Sequence, residues 1–153
     1  MSAELKRILL VEDNRQDLEL TLAALEENHL ANEVVVVRDG EEALDYLFRR
    51  GQFRLRAEGH PAVVLLDVKM PKVDGIQVLR EVKADPDLRT IPIVMLTSSR
   101  EDADLKACYQ IGVNAYVVKP IRFTDFTAAV RELGLFWAVV NQPPPGAARR
   151  EVA

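Results

Sequence analysis

Residues 62–75 read Ala62-Val63-Val64-Leu65-Leu66-Asp67-Val68-Lys69-Met70-Pro71-Lys72-Val73-Asp74-Gly75. The stretch opens as five apolar residues and stops on a carboxylate. A short apolar run rich in Val and Leu predicts a strand buried on both faces. Asp67 then stands where that strand leaves the core. Met70-Pro71 and Asp74-Gly75 are turn signals, so a loop follows at once. Taken alone, the stretch favours an ordinary solvated loop aspartate. The rest of the chain decides whether Asp67 is a site residue.

Outward from that strand, the same pattern repeats. Arg7-Ile8-Leu9-Leu10-Val11 is an apolar run ending on Glu12-Asp13. Asn14 fits the N-cap of a following helix, whose dipole favours Asp17 and Glu19 near its start. Leu18, Leu22 and Leu25 mark its buried face, and Asn28-His29 its end. Val34 to Val37 is another strand, closed by Arg38-Asp39-Gly40, with a helix from about Glu41. Residues 50–61 carry glycines and arginines without a period and predict an exposed connection. Beyond Gly75 a helix carries Ile76, Val78, Leu79 and Val82 and stops at Asp85-Pro86-Asp87. Ile91 to Leu96 is a strand ending on Thr97. Ser98 with Glu101, or Ser99 with Asp102, fits a capping box for the next helix, and Gly112 fits its C-terminal cap. Ala115 to Val118 is the fifth strand, ending on Lys119-Pro120. The last helix places Phe123, Phe126, Val130, Leu133 and Trp137 on one stripe, with Gly134 expected to end or weaken it. Pro143-Pro144-Pro145 predicts polyproline II, and residues 146–153 read as disordered.

Strand and helix thus alternate five times, which implies one parallel sheet covered by helices on both faces. The 153 residues suit one domain. Hydrophobic residues make up 48% and charged residues 29%, an ordinary globular balance, and a net charge of -4 gives no reason to expect nucleic acid or an anionic membrane as partner. No apolar stretch is long enough to span a bilayer, and no apolar signal core precedes the first strand, so a cytoplasmic location is expected. Cys108 is the sole cysteine, which excludes an internal disulfide and a cysteine metal cluster. It reads as a small apolar filler rather than an attachment point. His29 and His60 read as surface histidines.

Four apolar runs end on polar groups: Glu12-Asp13, Asp67, Thr97 and Lys119. Open α/β sheets bind ligands beyond the carboxyl ends of their strands, at the switch in strand order. A flavodoxin-like order, 2-1-3-4-5, would set Glu12, Asp13 and Asp67 side by side. Three neighbouring carboxylates repel one another unless a cation intervenes, and Mg2+ is the natural hard partner. Lys119 and Thr97 would supply donors to a phosphate oxygen. Each part alone has an ordinary reading: a surface lysine, a helix-entry hydroxyl, first-turn acids. Their joint occurrence on strand ends points to phosphoryl transfer onto a carboxylate, with Asp67 as nucleophile.

The motifs Leu9 to Asn14, Leu65 to Pro71 with Asp74-Gly75, Leu96-Thr97-Ser98 and Tyr116 to Pro120 together resemble a response regulator receiver domain of two-component signalling, over roughly Arg7 to Leu133. The resemblance implies roles. Asp67 matches the phosphoacceptor. Asp13 matches a direct Mg2+ ligand and Glu12 one acting through water, and Lys69 matches the position whose main-chain carbonyl also holds the metal. Lys119 matches the lysine that contacts the phosphoryl group, Thr97 and Tyr116 the switch pair, and Lys119-Pro120 a cis peptide. The protein would be a phosphoacceptor for a sensor histidine kinase, not an enzyme acting on other substrates. The 50–61 connection and the ending from Phe136 to Pro144 resemble stand-alone regulators paired with phytochrome kinases. Residues 1–140 would form the receiver and 141–153 a Pro-rich tail, with no effector domain, so output would pass through protein contacts or phosphorelay.

The face made by the fourth helix, fifth strand and fifth helix, with Leu135, Phe136, Trp137, Val139 and Val140, is a candidate homodimer interface. The alternative is that Trp137 and its neighbours fold back onto their own core. The resemblance implies that Lys69 and Ser99 lie near where a hydrolytic water would approach Asp67, and the Lys69 stem is expected to shield it in part. An aspartate-nucleophile phosphohydrolase is a rival reading, but such enzymes carry an acid two residues after the nucleophile, where Lys69 stands. A nucleotide-binding flavodoxin-like protein is a second rival, but no glycine-rich phosphate loop follows Val11. A receiver-like module that is never phosphorylated is a third, opposed by the full set of acids, Thr97 and Lys119.

Overall fold

The computed structural model describes residues 7–27, 34–119, 122–137, 141–142 and 144–145. His29, Pro120, Val139, Val140, Pro143 and residues 146–153 lie outside them, and with Pro120 the expected cis peptide. Five strands, β1 (Ile8–Val11), β2 (Val34–Val37), β3 (Val63–Leu66), β4 (Ile93–Thr97) and β5 (Ala115–Val118), form one parallel sheet of order β2-β1-β3-β4-β5. Five helices alternate with them: α1 (Arg15–Glu26), α2 (Gly40–Phe48), α3 (Gly75–Ala84), α4 (Asp102–Ile111) and α5 (Phe123–Leu135). This is the flavodoxin-like architecture that the alternation of runs predicts.

Side-chain alternation along the strands separates two cores. Ile8, Leu10, Val63, Leu65, Val94 and Leu96 pack on one face against Leu18 and Leu25 of α1 and Phe126 and Val130 of α5. Leu9, Val11, Val64, Leu66, Ile93 and Met95 pack on the other, against α2, α3 and Cys108 of α4. Every residue of β1 and β3 is buried. At about 1.5–3 kcal/mol per buried large aliphatic side chain, these two strands anchor the sheet at its switch point.

Local chemistry sets the helix ends. The Asn14, Asp39 and Asp74 side chains each accept a main-chain N–H three residues on, from Asp17, Glu42 and Gln77. Gly112 closes α4 in the left-handed region at φ 119°. One expectation needs correction and two can be made sharper. First, α4 starts at Asp102 with Glu101 as its cap, and no side-chain cap bond forms. The Ser99 hydroxyl donates to Asp104 Oδ2 at 2.6 Å, inside the first turn, so it is not engaged in a capping box. Second, α5 runs one residue past Gly134, to Leu135. Third, the 50–61 connection is largely exposed, as its composition predicts, yet anchored at one residue. Arg56 is half-buried, lies 4.3 Å over the Tyr46 ring, and donates to the carbonyls of Tyr46, Ala57 and Gly59. His60 is likewise half-buried, which pulls its pKa below the ordinary value.

Candidate functional site

The ladder fixes the positions of the strand-end residues. Val11 is in register with both Val37 and Leu66, so Glu12 and Asp67 leave adjacent strands at one level. The pairing runs one residue past the strands: Glu12 N–H donates to Val37 O at 3.1 Å, Asp67 N–H to Val11 O at 3.4 Å, and Lys119 N–H to Thr97 O at 2.7 Å. Gly75 closes the loop beneath Asp67. Its N–H donates to Val68 O at 2.8 Å, and a Cβ there would overlap the Asp67 carbonyl oxygen. Only glycine lets α3 begin that close to the strand end.

Carboxylate oxygens of Glu12, Asp13 and Asp67 lie within 4.8 Å of one another. Glu12 and Asp67 are buried and Asp13 is partly exposed. A cluster of hard oxygens at this spacing, open on the Asp13 side, fits a small hard dication. Lys119 is buried among the acids. Its Nζ donates to Glu12 Oε2 at 2.8 Å, Asp17 Oδ2 at 2.8 Å and Asp67 Oδ2 at 3.2 Å. Burial would lower the Lys119 pKa, but the bonds to Asp17 and Glu12 and the Asp67 charge hold it above its usual range. Burial pushes Glu12 up to about 7, although the Lys119 bond and charge pull the other way.

Asp67 Oδ1 accepts the Thr97 hydroxyl at 2.7 Å and the Lys69 N–H at 3.3 Å. Ser99 N–H donates to Thr97 Oγ1 at 3.2 Å, and the half-buried Tyr116 hydroxyl donates to Ser99 O at 3.1 Å. One hydrogen-bonded chain therefore runs from Asp67 through Thr97 and Ser99 to Tyr116. The Lys69 side chain is largely exposed, and its ammonium lies 3.8 Å from both Glu101 and Asp104 across the cleft toward α4.

Glu12, Asp13, Asp67, Lys69, Thr97 and Lys119 thus converge, and Tyr116 is joined to them through Ser99. The proposed interface residues are elsewhere. Phe136 is exposed, and Trp137 stacks edge-to-face on it while packing against the core shared by α1 and α5. The Leu135 side chain lies outside the described residues, as do Val139 and Val140. Asp17 joins the site although its sequence position marks it only as a helix-start acid. The available signal is its place in the first turn of α1, four residues after Asp13, where that turn overhangs the strand ends.

Residues 8–131 match the family model described as the response regulator receiver domain. The response regulator Rcp1 of Synechocystis sp. is 37% identical over 132 residues, covering 86% of this chain and 88% of that protein; a Mn2+-bound structure of Rcp1 superposes with a TM-score of 0.84 at 36% identity, over 91% of this chain and 99% of that one. The phosphorylated cyanobacterial phytochrome response regulator RcpA superposes with a TM-score of 0.85 at 38% identity, covering 91% of this chain and 98% of that one. The bacteriophytochrome response regulator RtBRR is 62% identical, with a TM-score of 0.73 and coverage of 94% and 86%. With the fold, the acidic cluster and these matches in agreement, the chain belongs to the response regulator receiver domain family.

Proposed function

We propose that the protein accepts a phosphoryl group on Asp67 from a phosphohistidine of a sensor kinase, in a Mg2+-dependent reaction, and signals through Thr97 and Tyr116. The observation that carries this is the meeting of the Glu12, Asp13 and Asp67 oxygens within 4.8 Å with the Lys119 ammonium against two of them. An Asp67 carboxylate oxygen attacks phosphorus, the O–P bond forms, the N–P bond breaks, and the imidazole nitrogen leaves with the electron pair. Glu12, Asp13 and Asp67, with the Lys69 carbonyl, would hold Mg2+, which when bound supplies positive charge to the transferring group. Lys119 neutralises phosphoryl charge from the opposite side, and the Thr97 hydroxyl donates to the group once it is in place. Positioning and charge neutralisation are the whole of the chain's task, which agrees with a phosphoacceptor rather than an enzyme acting on other substrates.

The phytochrome-paired relatives support a phytochrome-type histidine kinase as donor. Leu105 and Tyr109 on α4 and Phe136 after α5 are large exposed apolar residues, which supports the face formed by α4, β5 and α5 as the surface for a second copy of the chain. The packing of Trp137 against its own core favours a smaller contact than the whole C-terminal segment would give.

The test is incubation with Mg2+ and a small acyl phosphate. The expected result is a mass gain of one phosphoryl group that hydroxylamine removes, that chelation of Mg2+ suppresses, and that Asp67→Asn abolishes. A stable mass, or a gain retained in Asp67→Asn, overturns the reading.

A further inference from the structure

Asp17 lies outside the group of acids suited to a dication, yet its Oδ2 is as close to Lys119 Nζ as the Glu12 oxygen is, at 2.8 Å, and closer than that of Asp67 at 3.2 Å. It is held there by its own helix. Asn14 Oδ1 accepts its N–H at 2.9 Å, and the Thr21 hydroxyl donates to its carbonyl at 2.7 Å. An ammonium has three hydrogens, and here each has a carboxylate. Two of those carboxylates, Glu12 and Asp67, are the ones a dication would need; the third is free of that competition.

The electrostatics follow. A dication and the Lys119 ammonium compete for the same Glu12 and Asp67 oxygens and repel each other. Lys119 is almost wholly buried, so it cannot retreat into water without leaving the site. A partner on the α1 side, still 31% exposed, gives the ammonium a place to remain while it releases the other two.

We propose that Asp17 is a positioning residue that acts through Lys119. It tethers the ammonium to the first turn of α1, so that Glu12 and Asp67 are released to the dication while Lys119 stays within reach of the phosphoryl oxygens. This rests on the phosphoacceptor reading of the same site. Without the Asp17 charge, Lys119 grips Glu12 and Asp67 alone and opposes the dication more strongly.

The experiment is calorimetric titration of Mg2+ into the full chain, as wild type, Asp17→Asn, Asp17→Glu, Lys119→Met and the Asp17→Asn/Lys119→Met double variant. Asparagine matches aspartate in shape, and circular dichroism checks that each variant folds. Asp17→Asn should raise the Mg2+ dissociation constant on the order of tenfold, the scale of one charge-assisted hydrogen bond. Asp17→Glu should restore it to within about threefold. In the Lys119→Met background the same Asp17→Asn change should have less than half its effect on a logarithmic scale, because the coupling runs through the lysine. Wild-type affinity in Asp17→Asn overturns the proposal, and so does an undiminished effect in the Lys119→Met background. If wild type binds Mg2+ and takes phosphate from an acyl phosphate, those outcomes remove only the Asp17 tether. If wild type does neither, the phosphoacceptor reading falls and the tether with it.

Discussion

Gly75→Ala adds one methyl group directly under the candidate phosphoacceptor. The new Cβ would overlap the Asp67 carbonyl oxygen and stand 2.8 Å from its carbon and 2.9 Å from Val68 Cα. All three neighbours are main chain, so no rotamer change relieves the overlap. Overpacking of this kind costs about 1–3 kcal/mol. The displaced helix start also strains the Gly75 N–H bond to Val68 O, worth about 1 kcal/mol net. Alanine recovers up to about 1 kcal/mol of helix propensity at a position inside α3. The balance is a loss of about 2 kcal/mol, or about 4–8 °C in melting temperature for a domain of this size.

The same overlap has a second consequence, because the obstructing atom belongs to Asp67. Moving that peptide shifts the carboxylate relative to Thr97 Oγ1 at 2.7 Å and Lys119 Nζ at 3.2 Å. Misplacement by about 1 Å can cost on the order of a hundredfold in rate, so uptake of phosphate from a small acyl phosphate should fall at least about tenfold. Gly112→Ala separates the two effects. Gly112 has φ 119°, but its Cβ would meet only the Lys83 side chain at 3.9 Å. Its cost of about 1–3 kcal/mol is conformational, and phosphate uptake should not change. Urea unfolding and a timed mass assay read both variants. Gly75→Ala within about 0.5 kcal/mol of wild type, with an unaltered uptake rate, would refute the packing argument.

Other consequences can be measured separately. Lys83 Nζ donates to the carbonyls of Arg89 and Ile91 and to Asn114 Oδ1, so Lys83→Met should cost about 1.5–3 kcal/mol in urea unfolding while leaving phosphate uptake intact. The buried Cys108 thiol is pushed up from its ordinary 9.0 to about 11 by burial, with smaller contributions from Asp104 and Asp74. A raised folded-state value means stability is fully present below pH 9 and lost as pH rises toward 11. Wild type should therefore lose more stability than Cys108→Ala between pH 8.5 and 10.5, and iodoacetamide at pH 8 should label it only after unfolding. Replacing Lys69 by serine removes the ammonium that spans toward Glu101 and Asp104; phosphate loss from Asp67 should quicken, and unchanged decay would count against shielding. Phe136→Asp should shift a dimer toward monomer in sedimentation velocity; monomer mass for wild type at every concentration, free and phosphorylated, would remove the dimer.

The sheet was legible because β1, β3, β4 and β5 are apolar runs that end on polar residues; β1, β3 and β4 are buried throughout, while β5 is half-buried. The helix entry at Asn14 and the exit at Gly112 were legible because each depends on one local side chain or dihedral. The α4 entry was not. Ser98, Ser99, Glu101 and Asp102 offered two capping boxes of equal quality, and a tertiary demand, the Ser99 bond to Asp104 beside the Tyr116 hydroxyl, removed the choice. The 50–61 connection was legible as exposed, but its anchor was not. Its lack of period says nothing of Arg56, whose guanidinium is fixed by a ring and three carbonyls that only the fold brings near. At the site, Glu12, Asp13, Asp67, Thr97 and Lys119 were legible as strand ends. Asp17 was not, because its helix position already explained its charge.

The hydrogen-bonded chain from Asp67 to Tyr116 bears on how a signal would leave the site. Thr97 Oγ1 donates to Asp67 and accepts from Ser99 N–H, while the Ser99 carbonyl accepts from Tyr116. In this arrangement the Thr97 hydroxyl faces the Asp67 carboxylate and the Tyr116 phenol faces the Ser99 carbonyl. A phosphoryl group can shift such an equilibrium only by the difference in its affinity for the two arrangements. On the proposed mechanism the Thr97 bond would contribute to that difference, because a dianionic phosphoryl oxygen is a stronger acceptor than the Asp67 carboxylate oxygen. Phosphorylation would then strengthen the Thr97 end of this chain of bonds, and the face of α4, β5 and α5 would respond by a change of population.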